Sequence, residues 1–95
     1  MHGITKRRLR EFWERIPEAE SPLSRWYKIV SKAHFDNFGA LKEIFHRADK
    51  VDQFTIFDIS GNKYRVISVI HFDRQKLYIR YVLTHQDYDT GTWRE

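Results

Sequence analysis

Two arginines stand inside apolar, strand-like runs in the last third of the chain: Arg65 in the run from Lys63 to Phe72 and Arg80 in the run from Leu77 to Leu83. An ionised guanidinium in such a run needs a partner, because burying it unpaired is very costly. A phosphate is one obvious partner, since a planar guanidinium can donate two parallel hydrogen bonds to it. His85 and Tyr88 follow just past the second run, with Asp89 beside them. Imidazole as a class moves protons near neutral pH. Cutting RNA without a metal requires that a 2′-hydroxyl lose its proton, that charge on the phosphorane be stabilised, and that the leaving 5′-oxygen gain a proton. His85 or Tyr88 supplies the proton steps in this reading, and Arg65, Arg80 and Lys63 supply the charge.

Each of these residues also has a plainer use. Arg65 and Arg80 could pair with Asp58, Asp73 or Asp87, or snorkel to the sheet edge. His85 could cap a turn, with Tyr88 packed on the sheet. The charge distribution favours the sharper reading for the arginines. Residues 1–50 hold 11 Lys/Arg against 7 Asp/Glu, whereas residues 51–95 hold 6 against 6. The positive excess lies wholly in the first half, so two arginines on adjacent strands of the second half look aimed at a shared anion.

The net charge of +4 itself points to an anionic partner without selecting one. Lys6, Arg7, Arg8 and Arg10 form a basic run on the first predicted helix, either a solvated face or a patch that tracks an RNA backbone. Arg25, Lys28 and Lys32 fall near one face of the next helix and would extend that patch. Trp13 and Trp26 belong to core stripes, and Trp93 is open to either use.

Other chemistries fit poorly. The five histidines show no paired ligand spacing, the acidic residues form no compact cluster for a two-metal nuclease, and the four glycines make no phosphate loop. No serine sits in a nucleophile elbow. No metal or cofactor is implied. With no cysteine, disulfides and thiolate metal sites are excluded and a cytoplasmic address is favoured. No apolar run approaches the roughly 20 residues that cross a bilayer, so no membrane partner is expected. The N-terminal stretch lacks the apolar segment of a signal peptide.

The elements that must position these residues read as follows. Ninety-five residues, 41% hydrophobic and 16% aromatic, are expected to form one domain with a modest core. His2–Thr5 is a candidate edge strand. Thr5 offers an N-cap for a helix carrying Leu9, Phe12, Trp13 and Ile16, which Pro17 stops. Ser21-Pro22 restarts a helix whose stripe is Leu23, Trp26, Tyr27 and Val30. A third short helix runs from about Phe38 to Phe45. Phe54–Ile59, Lys63–Phe72 and Leu77–Leu83 form an antiparallel meander with a hairpin turn at Ser60-Gly61-Asn62. The two-residue strand period groups Arg65 with Ile67 and Val69, and Arg80 with Tyr78 and Val82. His85–Asp89 is a loop or one helical turn. The class is therefore α+β, with N-terminal helices packed on one face of a small antiparallel sheet.

The stretch Gly61-Asn62-Lys63-Tyr64-Arg65-Val66-Ile67, then Tyr78-Ile79-Arg80, then Thr84-His85-x-x-Tyr88-Asp89 resembles the HigB-type toxins of the RelE-like mRNA interferases. Leu9-Arg10-Glu11-Phe12-Trp13 and Pro22-Leu23-x-x-Trp26-Tyr27 extend the likeness over nearly the whole chain. The resemblance implies a RelE-like α+β fold and endonucleolytic cleavage of mRNA, usually on translating ribosomes, that arrests growth. It also implies neutralisation by a helix-turn-helix, HigA-type antitoxin. Family site roles would fall on Arg65, Arg80, His85 and Tyr88, with Lys63 a phosphate contact. Where relatives often continue with lysine and a helical tail, this chain has Thr90-Gly91-Thr92-Trp93. Two rival readings stand beside this one: a non-catalytic nucleic-acid-binding or regulatory module that uses the basic helix, and an interaction protein whose basic half docks an acidic partner.

Overall fold

The apolar stripes decide which sides of the chain turn inward. In the computed structural model, which describes residues 1–94, the first stripe is carried by α1 (Arg7–Arg15), where Leu9 and Phe12 are buried. Thr5 does not cap this helix: Lys6 holds the N-cap position, and no side chain bonds the free N–H groups there. Pro17 cannot continue α-helical hydrogen bonding and instead opens a 3₁₀ turn, Pro17–Ala19. That turn runs directly into α2 (Glu20–Lys32), and the N–H of Glu20 already bonds the Pro17 carbonyl. The expected restart at Ser21-Pro22 is therefore unnecessary. The helix begins earlier, and Pro22 is tolerated because first-turn N–H groups have no intrahelical acceptor. α3 (Phe38–Ile44) is capped by Asn37, whose Oδ1 accepts from Ala40 N at 2.9 Å.

Four strands, rather than the three expected, make one antiparallel sheet in the order β1-β2-β3-β4. β1 (Asp49–Val51) is too short and too polar to register as a strand in the sequence, and it forms by pairing with β2 (Phe54–Ile59). β2 pairs with β3 (Tyr64–His71) across a turn in which Ser60 and Gly61 both take positive φ. Left-handed residues of this kind match the twist of a hairpin. β4 (Lys76–Thr84) closes the meander. The candidate N-terminal edge strand reduces to a single parallel bridge, His2 with Lys76.

One irregularity bears on the site. Ile67 pairs with Tyr81 while Ser68 pairs with Ile79, so Arg80 is an extra residue with no partner on β3. A bulge of this kind breaks the two-residue alternation. Val82, opposite Val66, belongs to the helix-covered core, whereas Tyr81 and Leu83 stand opposite Ile67 and Arg65 on the other face. The expected grouping of Arg80 with Val82 is thus wrong, because the bulge resets the register between them.

The three N-terminal helices cover one face of the sheet. Leu9, Leu23 and Leu41 are fully buried there against Phe57, Val66 and Leu77, each leucine contributing about 1.5–3 kcal/mol of burial. Trp26 meets Phe57 edge to face at 5.2 Å. The second face carries a smaller apolar cluster of Phe54, Ile56, Ile67 and Trp93, with Leu83 and Tyr88 packed against it. Arg65 lies on this second face, between Asp58 and Leu83 in the ladder.

Candidate active site

The stretch after β4 is a helix, α4 (His85–Thr90), and its ends are fixed locally. Thr84 Oγ1 accepts from Asp87 N at 3.2 Å at the start. Gly91 takes the left-handed conformation (φ 74) that stops the helix. The N–H of His85 donates to the Lys63 carbonyl at 3.0 Å, which ties the helix to the beginning of β3. Residues three and four apart share a helix face. His85, Tyr88 and Asp89 have that spacing.

Arg65 is the centre of the group and is only 7% exposed. Its Nε lies 3.0 Å from Asp58 Oδ1 in a buried ion pair. One terminal nitrogen reaches the carbonyls of Asn62 and Tyr64 at 3.0 and 3.3 Å. The other reaches Asn62 Oδ1 at 3.2 Å and makes a long contact of 3.5 Å with His85 Nδ1. A guanidinium has five N–H donors, and three of them bond the carbonyls of Asn62 and Tyr64 and the Asn62 side chain. The guanidinium also lies over the Tyr88 ring, 5.0 Å from its centroid. Arg65 therefore takes the plainer partner foreseen for it, Asp58, and holds His85 and Tyr88 as well.

These contacts orient the His85 ring. Its Nε2 lies 3.2 Å from Asp89 Oδ2 and its Nδ1 faces Arg65. The result is an imidazole oriented by a carboxylate on one side and a guanidinium on the other.

Tyr88 is held from both sides. Its ring stacks on Trp93 at 5.2 Å and 14°, and Trp93 Nε1 donates to the Tyr88 carbonyl at 3.0 Å. Burial pushes its phenol above the usual value, and the Asp49 and Asp58 carboxylates add to this, while Arg65 and Arg94 pull the other way. The phenol is consequently a proton donor at neutral pH.

Lys63, Arg65, His85 and Tyr88 are brought together, and Arg80 is not. Lys63 is exposed and lines a groove with Glu18, Tyr64, Thr84, His85 and Gln86. Arg80 is three residues along β4 from Leu83, the partner of Arg65, or roughly 10 Å at the strand rise. It is exposed and makes no ion pair among the described residues. The basic run on α1 is divided. Arg7 pairs with Glu11 at 3.0 Å, and the Lys6 ammonium sits 4.8 Å above the Tyr27 ring. Arg8 lines a cleft with Arg15, Tyr81 and Leu83, and Arg10 is exposed. Lys32 is in the last turn of α2, which packs on α1 and β2. Asp89 and Asn62 escaped the sequence reading as partners. The spacing of Asp89 from His85 becomes informative only once the stretch is known to be a helix.

A family model described as HigB_toxin, the RelE-like toxic component of a toxin-antitoxin system, matches residues 19–91, the span that holds this whole cluster. The chain belongs to the HigB toxin family. Among its HigB relatives, the mRNA interferase toxin HigB of Escherichia coli (strain K12) is 34% identical over 97% of this chain and 91% of its own length. The mRNA interferase HigB of Shigella flexneri matches to the same extent. A more distant mRNA interferase HigB, from Escherichia coli O6:H1, is 24% identical over 97% of this chain and 92% of its own. The α+β arrangement, with N-terminal helices on one face of an antiparallel sheet, agrees with the RelE-like fold of this HigB chain.

Proposed function

We propose that this HigB-family toxin is an endoribonuclease that cuts mRNA by attack of a 2′-hydroxyl on its own 3′-phosphodiester. The observation that carries this reading is the His85 imidazole held between Asp89 and Arg65. His85 takes the 2′-hydroxyl proton while Asp89, 3.2 Å from its Nε2, offsets the positive charge that develops on the ring. The 2′-oxygen bonds to phosphorus, and the bond from phosphorus to the 5′-oxygen breaks. Tyr88, kept neutral by burial, gives its proton to the departing oxygen. The products are a 2′,3′-cyclic phosphate and a 5′-hydroxyl.

The cations divide the remaining work. Arg65 is buried and engaged by Asp58, Asn62 and the Tyr64 carbonyl, so it is a positioning residue for the base and the acid. Lys63, exposed beside His85, stabilises the phosphorane. Arg80, about 10 Å along β4, holds a neighbouring phosphate of the same strand. Arg8 and Arg10, with Lys6, Arg7 and Lys32 further off, meet the backbone of ribosomal RNA when the toxin works on a translating ribosome in the cytoplasm. A HigA-type helix-turn-helix antitoxin neutralises it.

Induced expression of the chain alone tests this. Growth arrest with internal cuts in mRNA is expected, relieved by the helix-turn-helix protein encoded beside it and by His85→Ala. Arrest without mRNA cleavage would overturn the reading.

A further inference from the structure

Trp93 lies five residues past Tyr88 and folds back onto it. Gly91 takes the left-handed conformation after α4 and the 3₁₀ turn Thr92–Arg94 follows. The indole is thereby stacked on the Tyr88 ring at 5.2 Å and 14°. The Arg65 guanidinium lies 5.0 Å from the centroid of the same ring. Two planar groups hold one phenol, and only the guanidinium was foreseen as part of the site.

Trp93 is itself fixed from the far side of the sheet. It is 7% exposed, meets Phe54 of β2 edge to face at 5.6 Å, and donates its Nε1 proton to the Tyr88 carbonyl at 3.0 Å. Its neighbour Arg94 pairs with Asp52 in the β1–β2 turn at 3.7 Å. The need for such support is physical. α4 has six residues, none of them buried, and a tyrosine on so short and exposed a helix is free to change rotamer. A general acid has to stand within hydrogen-bond reach of the oxygen it protonates. A displacement of about 1 Å can cost on the order of 100-fold in rate.

We propose that Trp93 is a positioning residue for the acid: stacked on Tyr88 and anchored by Phe54, it keeps the phenol aimed at the departing 5′-oxygen. The inference rests on the RNA-cleaving reading above, in which Tyr88 gives up the proton. Trp93 acts through Tyr88, so its loss is felt in the rate of the cut and spares the affinity for RNA.

The test is single-turnover cleavage of a short mRNA on purified ribosomes by the intact protein, with either oxygen or sulfur at the 5′ position of the mapped cut. With sulfur, the 2′-oxygen bonds to phosphorus, the phosphorus–sulfur bond breaks, and the thiolate departs without a proton. That substrate needs no acid. On the oxygen substrate, Trp93→Leu, which keeps an apolar side chain on the cluster, should slow the saturated rate about 100-fold with the half-saturating toxin concentration unchanged. Trp93→Phe, which keeps a ring to stack but has no N–H, should fall between. On the sulfur substrate both variants, and Tyr88→Phe, should match the unaltered protein. Melting temperatures show that each variant is folded, and Trp93→Phe carries the comparison should Trp93→Leu unfold. A folded Trp93 variant that cuts the oxygen substrate at full rate, loses affinity in place of rate, or gains nothing from sulfur while Tyr88→Phe is rescued would overturn the role of Trp93 alone. Failure of sulfur to rescue Tyr88→Phe would overturn the acid itself, and no cut in either substrate by the unaltered protein would overturn the endonuclease reading.

Discussion

Across the β2–β3 ladder, Nε of Arg65 lies 3.0 Å from Oδ1 of Asp58 as an ion pair, with both side chains largely removed from water. The pair lets a permanent charge sit in a sheet and still turn its remaining donors toward Asn62 and His85. The proposed active site is thus anchored by a structural ion pair, and its stability and activity can be separated experimentally.

Removing one partner should be costly. Asp58→Ala leaves a buried guanidinium unpaired, and urea unfolding should show a loss of about 3–5 kcal/mol. The double change Asp58→Leu, Arg65→Met should recover most of that loss, since well-packed apolar residues often replace a buried pair without penalty. It should not recover RNA cleavage. A double variant that is both stable and fully active would remove Arg65 from the site.

His85 and Asp89 should behave in the opposite way. They form an exposed pair on one helix, worth a few tenths of a kcal/mol, so neither His85→Ala nor Asp89→Asn should shift the melting temperature noticeably. Cleavage by His85→Ala should fall on the order of 100- to 10,000-fold, the usual contribution of a general base. Asp89→Asn should lower the rate less while leaving RNA affinity unchanged. Equal losses of affinity in both variants would mean that the pair binds substrate and moves no proton.

The exposed cations should report through salt. Arg80→Ala and Lys63→Ala should each flatten the dependence of log affinity on log salt for single-stranded RNA by about 0.7, the share of one phosphate contact. An unchanged slope in Arg80→Ala would take that residue off the RNA path.

Alkaline stability follows from two phenols. Tyr64 and Tyr88 are both raised above 10.0, in each case mainly by burial, with Glu18 adding at Tyr64 and Asp49 at Tyr88. A raised phenol favours the neutral form in the folded chain, so the unfolded chain ionises first. The stabilisation is whole below pH 10 and is lost as pH climbs through 10 toward the folded values. Melting temperatures of Tyr88→Phe should therefore decline less steeply above pH 10 than those of the unaltered protein, and matching slopes would count against the burial of Tyr88.

Much of the fold was legible because its signals are local. The stripes Leu9–Phe12 and Leu23–Trp26–Val30, and the Ser60-Gly61 turn, depend only on neighbours in sequence. What escaped depends on pairing. β1 is three residues that become a strand only against Phe54–Ile56. The bulge at Arg80 exists only because Ile67 and Ser68 choose Tyr81 and Ile79. In the site, the gathering of His85 with Tyr88 was readable from spacing, but which of three aspartates would take Arg65 was settled by cross-strand register. The expected meeting of two arginines on one phosphate failed for the same reason, since the bulge and the register set Arg80 apart.

The account rests on His85 taking a proton from a 2′-hydroxyl, and the chemistry of the cut ends records that step. RNA from cells expressing the chain, and from cells expressing His85→Ala, should be sequenced by a method that distinguishes the two kinds of terminus. Internal mRNA cuts ending in 2′,3′-cyclic phosphate and 5′-hydroxyl, absent with His85→Ala, are expected. Cuts that leave 3′-hydroxyl and 5′-phosphate, or that persist unchanged in His85→Ala, would contradict it.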